Sequence, residues 1–496
     1  MGRRWRTYAS LLAAVLLIAA VLGGCATDRL RSWLRQELES GFSQTEAQTK
    51  ESGAGEEGGE EANQDKSGED KGTEAGDGTG NGDMEGADTE KAGAGGTDGT
   101  DTEEMLLPSY FDYRDIGKQP AARDQGNLGT CWAFASLMAM ESTLLPQEEW
   151  TFSVDHMSRK NSFSLGQEEG GQYAMSMAYL LAWQGPVTEE EDPYGDGESP
   201  DGLLPAKHVQ EIRLLESKDY RRIKEAVHRT GGVQSSLYTR LLNYTSKDQY
   251  YNEETFGYYY PGEEKANHNV IIIGWDDHYP KENFNDPPEH DGAFICLNSW
   301  GPRFGENGCF YVSYEDTNIG DINVLYSRIT DPKEYTGLYQ TDLCGWIGQV
   351  GYGREGAMFA NVYQARGEEW LRAVGFYATL PGTRYKVYAA KASSPEKMNL
   401  NHPVAEGTFR DAGYYTVDFA EEIRLRPGEK FTVVVDIFTP GAVHPVAIEY
   451  QAPDLAGKVD LSDGEGYLSS NGKHWVSAEK NQSCNLCLKA YTRAAE

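Results

Sequence analysis

Apolar side chains fall into three rhythms along this chain, and each predicts a different kind of element. From Trp132 to Met140 they are almost continuous (Trp132, Ala133, Phe134, Ala135, Leu137, Met138, Ala139, Met140). That is too dense for a helix with one wet face, so the run predicts a helix buried on all sides. Val270, Ile271, Ile272 and Ile273 form a β-branched run that predicts a buried strand, and residues 293–297 predict a second, shorter one. From about Tyr335 the pattern becomes short alternating segments: 358–363, 371–378, 385–390, 414–419, 430–437, 446–450 and 486–491. Gly, Pro, Asn and Asp separate many of them and no convincing amphipathic helix intervenes, which predicts a β-sandwich.

The first hundred residues follow none of these rhythms. Arg3, Arg4 and Arg6 precede a 12-residue apolar run over 11–22, too short to span a bilayer and built like an export signal. Leu30, Trp33, Leu34, Leu38 and Phe42 recur at helical spacing among charges, which suits a short helix on a membrane surface or a solvated stub. Residues 43–104 contain no aromatic side chain and are dominated by Gly, Glu, Asp, Thr and Ala. Such a composition cannot bury enough surface to offset chain entropy, so it predicts a disordered tether with an r.m.s. reach of about 40–50 Å.

Candidate chemistry enters at the start of the buried helix. Cys131 follows the polar turn Gln125-Gly126-Asn127-Leu128-Gly129-Thr130 and would occupy the first helical turn, where unpaired N–H groups favour a thiolate. A lone cysteine beside an apolar run is more often a buried structural residue. Two further stretches overturn that reading. His268 stands at the mouth of the β-branched strand, a rigid mount for an imidazole, and Asn298 follows the next strand, where its carboxamide would accept the imidazole N–H.

These stretches are similar, in order, to the landmarks of the papain family of cysteine peptidases. The resemblance covers residues 107 to about 314 and includes Leu107 to Arg114, Gln125, Cys131-Trp132-Ala133-Phe134, Gly170-Gly171, Asp192-Pro193-Tyr194, Asn298-Ser299-Trp300-Gly301 and Gly305-Glu306-Asn307-Gly308. It implies that Cys131 is the nucleophile, His268 its ion-pair partner, Asn298 the residue that orients the imidazole and Gln125 an oxyanion donor. It further implies that Gly129, Gly170 and Gly171 line the substrate backbone, that Tyr173, Ser236 and Ala266 wall the second subsite, and that Trp300 shields the His268–Asn298 contact. Asn267 stands where many family members carry Asp, so a negative charge near the histidine is missing. The later segments resemble the lectin-like domain that accompanies papain-type peptidases in some bacterial surface proteins, with Trp346, Trp370 and Trp475 as candidates for stacking on sugar rings.

Charge and cysteines refine this picture. The formal charge is -33, but 19 acidic and 4 basic side chains lie between residues 43 and 104, so nearly half the acidity belongs to the tether. No comparable basic run exists, which excludes nucleic acid as the expected partner. Leu22-Gly23-Gly24-Cys25 resembles a bacterial lipoprotein box, implying lipidation of Cys25. Cys131 and five others remain (296, 309, 344, 484, 487). The family's usual half-cystine before the nucleophile is Leu128 here, while a Cys296–Cys309 bridge stays open. Cys484 and Cys487 lie in an alternating segment, where residues three apart face opposite sides, so a half zinc site is disfavoured. The acidic loop 276–292 reads as a surface connection rather than a calcium site.

The expected class is therefore α+β: a papain-like two-lobed cysteine peptidase followed by a β-sandwich. The expected boundaries are an export signal over 1–24, a membrane-proximal segment over 25–42, an acidic linker over 43–105, the peptidase over 106–332 and the β-domain over 333–496. The expected activity is hydrolysis of peptide bonds through an acyl-enzyme, without metal or organic cofactor. The protein would act as a monomer, lipid-anchored outside a bacterial cytoplasmic membrane, on protein or peptide substrates and with a possible wall or host glycan as ligand. A surface adhesin on a peptidase scaffold and a thiol transpeptidase are the alternatives. The tether holds nothing that folds as an inhibitory propeptide, so activity would be limited by location or by the downstream domain.

Overall fold

The computed structural model describes residues 105–495, apart from 453, 454 and 456. The export signal, Cys25, the helical spacing at 30–42 and the tether lie outside them. Among the described residues no helix is long and apolar enough to cross a membrane.

The dense apolar run forms helix α1 (Cys131–Leu144), in which every residue except Cys131 and Thr143 is buried. α2 (Val154–Lys160) and α3 (Tyr173–Leu181) pack on it, whereas α4 (Tyr220–Arg229) packs on the sheet and α5 (Ala478–Gln482) lies near the C-terminus. One buried acid, Glu141, helps to fix α1. Its carboxylate pairs with Arg123 at 2.9 Å and accepts from the Phe152 N–H at 2.9 Å, while burial pushes its pKa up to about 7 against the pull of Arg123.

The strands of the first unit are β1 (Tyr110–Asp112), β2 (His208–Leu215), β3 (Val233–Leu237), β4 (Gly257–Tyr258), β5 (His268–Asp276), β6 (Ala293–Leu297), β7 (Cys309–Ser313) and β8 (Asn323–Thr330). The β-branched run is β5, which lies between β3 and β6 and packs on α1, burying Val270 to Ile273 completely.

The second unit continues with β9 (Gly337–Tyr339), β10 (Gly348–Val350), β11 (Gly356–Gln364), β12 (Glu369–Ala378), β13 (Thr383–Ala390), β14 (Ala405–Phe409) and β15 (Ala412–Leu425). It ends with β16 (Lys430–Phe438), β17 (Val446–Tyr450), β18 (Gly466–Ser469), β19 (Val476–Ser477), β20 (Cys484–Leu486) and β21 (Leu488–Ala494). A six-stranded sheet, in the order β14-β13-β16-β11-β18-β19, packs on the layer containing β15-β12-β21-β9 through Phe359, Phe376, Val433, Val435 and their neighbours. A three-stranded sheet, β10-β17-β20, closes one end.

The two units share one sheet. β15 pairs antiparallel with β2 from Ala412↔Leu214 to Tyr415↔Glu211, so the order runs β4-β7-β6-β5-β3-β8-β2-β15-β12-β21-β9 without a break. Gly413 makes this junction possible: its φ is +136°, and a Cβ there would fall 2.1 Å from the Ile212 carbonyl oxygen. Ion pairs bracket the seam, with Asp411 held by Arg222 at 2.8 Å and by Arg213 at 3.4 Å, and Arg328 reaching Asp418 at 2.9 Å.

Several expectations change. The alternating segment 486–491 is two strands: the chain leaves the three-stranded sheet at Leu486, bonds to the Ala447 carbonyl through the Cys487 N–H, and enters the large sheet at Leu488. A short helix, α5, interrupts the β pattern because Ser477 caps it through the Lys480 N–H. Cys296 and Cys309 are both free thiols. Cys296 sits opposite Phe310 and Cys309 opposite Leu297, so the two side chains point to opposite faces of adjacent strands. The three tryptophans form no single platform: Trp346 packs on Tyr377, Trp370 lies under Arg424, and Trp475 joins Tyr388 and Val434.

Candidate active site

A cleft of about 620 Å³ runs between the start of α1 and the start of β5. Cys131 is the first residue of α1 and His268 the first of β5, so both are presented from the ends of rigid buried elements. Both line the cleft, together with Gln125, Gly129, Gly170, Gly171, Tyr173, Ser236, Ala266 and Trp300. Asn298 lies behind them, fully buried, just after β6.

His268 Nε2 lies 2.7 Å from Asn298 Oδ1, which fixes the ring and leaves Nδ1 for the sulfur. The Trp300 ring stacks on the imidazole at 4.7 Å, covering this hydrogen bond. Burial on its own would push the Cys131 thiol up. The hydrogen bond and charge of His268, helped by backbone and side-chain donors of Asn269, outweigh burial and hold the thiol below its usual value.

The side chain of Gln125 is pinned at both ends. Nε2 donates to the Leu128 carbonyl at 2.8 Å, and Oε1 accepts from Ser299 Oγ at 2.6 Å. An amide nitrogen carries two protons, so one remains for the cleft beside the Cys131 backbone N–H. The hydroxyl of Tyr194 ties this corner together, donating to the Gln125 carbonyl at 2.9 Å and meeting Thr130 Oγ1 at 2.7 Å.

The cleft floor depends on close backbone approach. A Cβ on Gly129 would lie 2.9 Å from the Gly170 backbone, and one on Gly171 would lie 2.4 Å from Trp132 Nε1.

Sequence reasoning missed several contributors. Asn267, marked in the sequence only by the charge it lacks, lines the cleft and clamps the neighbouring loop, accepting from the Thr239 N–H and donating to its carbonyl, both at 2.8 Å. Thr239, Leu241, Leu242 and Lys265 add a wall that no motif announced. Asn269 is the most informative omission. Its Nδ2 points at Cys131 Sγ from 4.0 Å, and its Oδ1 accepts from Gln234 Nε2 at 3.2 Å. Gln234, completely buried, accepts in turn from Ser136 at 2.9 Å and from Tyr326 at 3.3 Å. A polar chain therefore runs from the interior to the sulfur. Asn269→Ala should raise the thiol pKa, so that the rise of iodoacetamide labelling at Cys131 moves to higher pH. An unmoved profile would show that the amide does not hold the thiolate.

Among the described residues no group of three or more His, Cys, Asp or Glu side chains is placed to hold a metal ion. The thiols of Cys484 and Cys487 are buried and pushed up, Cys484 to about 12.

Two family models match the chain: papain family cysteine protease over residues 107–327 and lectin-like domain over 338–492. The chain joins a papain-family domain to a lectin-like domain. A viral cathepsin of Heliothis zea nuclear polyhedrosis virus is 28% identical over 230 residues, covering 44% of this chain and 56% of the viral protein. Mouse cathepsin K is 25% identical over 231 residues, 45% of this chain and 65% of its own length. The chain thus spans less than two thirds of the length of these relatives.

Solved structures extend the likeness to both domains. The cysteine protease and lectin-like domains of Cwp84, a surface layer associated protein of Clostridium difficile, match with a TM-score of 0.67 and 25% identity, over 79% of this chain and 90% of that one. Clostridial Cwp84 after propeptide cleavage matches with a TM-score of 0.68 and 26% identity, over 78% of this chain and all of the other. The papain-like domain and the β-sandwich of this chain therefore recur together in Cwp84.

Proposed function

We propose that this chain is a cysteine endopeptidase of the bacterial cell surface that cuts peptide bonds through Cys131, His268 and Asn298. The observation that carries this reading is the contact sequence Cys131, His268, Asn298 at the edge of an open cleft, with a pinned amide donor beside the sulfur. In the proposed reaction the thiolate attacks the scissile carbonyl and the oxygen takes the negative charge, met by Gln125 Nε2–H and the Cys131 N–H. The imidazolium protonates the departing amine as the C–N bond breaks, leaving an acyl-thioester on Cys131. Neutral His268 then takes a proton from water, hydroxide adds to the thioester, and the thiol leaves with that proton restored. Asn298 and Trp300 keep the ring in the plane that serves both transfers.

A surface location is supported by the likeness to Cwp84, a surface layer associated protein, and by the lipoprotein-like start of the sequence. Cys25 would carry the lipid, and the lectin-like domain would bind a glycan or the substrate itself. A thiol-directed epoxide should label Cys131 stoichiometrically, and the unlabelled protein should release peptide fragments with the masses of hydrolysis products. Adducts with an added amine in place of hydrolysis products would make the protein a transferase, and a protein that neither labels nor cleaves would fit an adhesin. Comparing the full chain with one starting at residue 105 in the same assay tests whether the preceding segment restrains activity.

A further inference from the structure

A second cavity, of about 60 Å³, adjoins the cleft and shares Gln172 and Tyr173 with it. Apart from Gln172, the residues that bound it are apolar or aromatic, and they come from both domains. Ala174 and Met177 of α3 and Leu214 of β2 form one side. Trp346, Ile347 and Tyr377 of the lectin-like domain form the other.

The walls are held in place across the seam. The Ser164 N–H donates to the Leu455 carbonyl at 2.9 Å and the Gly457 N–H to the Ser162 carbonyl at 3.1 Å. Gly345, with φ of +63°, sits so close to α3 that a Cβ there would be 3.3 Å from that of Ala178. The cavity is therefore formed in advance, as small-molecule and side-chain pockets usually are. Walls of this kind suit an apolar occupant, and an apolar side chain of a peptide lying in the adjoining cleft is one.

We propose that this cavity is a side-chain subsite of the substrate cleft, built jointly by the two domains, and that it takes a large apolar side chain (Leu, Met or Phe) of the bound peptide. The residue lies a short way N-terminal to the scissile bond, where the peptide passes Gly170, Gly171 and Tyr173. This inference rests on the peptidase reading above. It differs from the subsite walled by Tyr173, Ser236 and Ala266, because four of its eleven lining residues belong to the lectin-like domain. That domain then selects which peptide is cut, whether or not it binds sugar.

The test uses the full chain and a peptide library varied at each position N-terminal to the cleaved bond, with products read by mass spectrometry. At one such position Leu, Met or Phe should be preferred over Gly in kcat/KM by at least about tenfold. Ala174→Leu, a change that suits the half-buried helical site, fills the cavity from the peptidase side and should bring that ratio close to one. Trp346→Ala opens it from the other side and should shift the preference toward larger aromatic residues. Epoxide labelling of Cys131 in both variants checks that the site remains assembled. Cleavage whose ratios neither substitution alters would overturn the subsite alone. Absence of cleavage of every peptide by the unaltered protein would overturn the peptidase reading and the subsite with it.

Discussion

Peptide turnover should vanish when Cys131 is replaced by alanine, while thermal unfolding stays where it was. The side chain is partly exposed, and removing one sulfur there leaves no deep cavity, so the effect on stability should be within about 0.5 kcal/mol. Catalysis has no such tolerance. Among the described residues no other cysteine lines the cleft, and the remaining donors cannot substitute for a missing nucleophile. Gln125→Ala gives the contrast: it keeps the nucleophile and removes one oxyanion donor, which should slow kcat/KM by about a hundredfold or more. Assays of both purified variants on one peptide, beside their melting curves, check the pair. Full activity in Cys131→Ala would end the assignment of the nucleophile.

A comparably large effect should come from a lysine that does not line the cleft. Lys489 and Asp342 meet at 2.9 Å inside the lectin-like domain, with side chains 1% and 0% exposed. Lys489 also donates to Gln340 Oε1 at 2.7 Å and to the Asp342 carbonyl at 2.9 Å. Glu449 is close enough that burial, reinforced by the charge of Asp342, pushes its carboxyl up to about 7. Lys489→Met leaves two buried acids without their cation and should cost about 3–5 kcal/mol, seen as a lower guanidinium midpoint. The pH dependence has a definite sign. Burial already raises Asp342, and losing the lysine raises it further, so the folded state binds protons more tightly than the unfolded chain. The deficit of the variant should be greatest above the raised folded pKa and should shrink as pH falls through it. A deficit that does not change between pH 8 and pH 5 would count against this account.

Legibility in the sequence followed locality. The buried helix, the strand carrying His268 and the loop carrying Asn298 each announce themselves within about ten residues, through periodicity and turn chemistry. The side chains that tune the site do not. Asn269 follows the histidine in an otherwise apolar strand, and only the fold shows that its amide reaches the sulfur and that Gln234 supports it. The strand break at Cys487 was invisible for a different reason. Residues 484–492 are buried on both faces, in the first sheet and in the second, so no switch from apolar to polar positions marks the change of sheet. Pairing of β2 with β15 joins residues about two hundred positions apart, and no local pattern encodes a partner at that distance.

That shared seam has a practical consequence. A truncation after residue 332 would strip β2 of its neighbour and leave the backbone donors and acceptors that face Gly413 to Tyr415 bare, an adhesive border of the kind that recruits foreign strands. The lone papain-like half would then tend to self-associate, and the sulfur and the lectin-like domain are best studied on one uncut polypeptide.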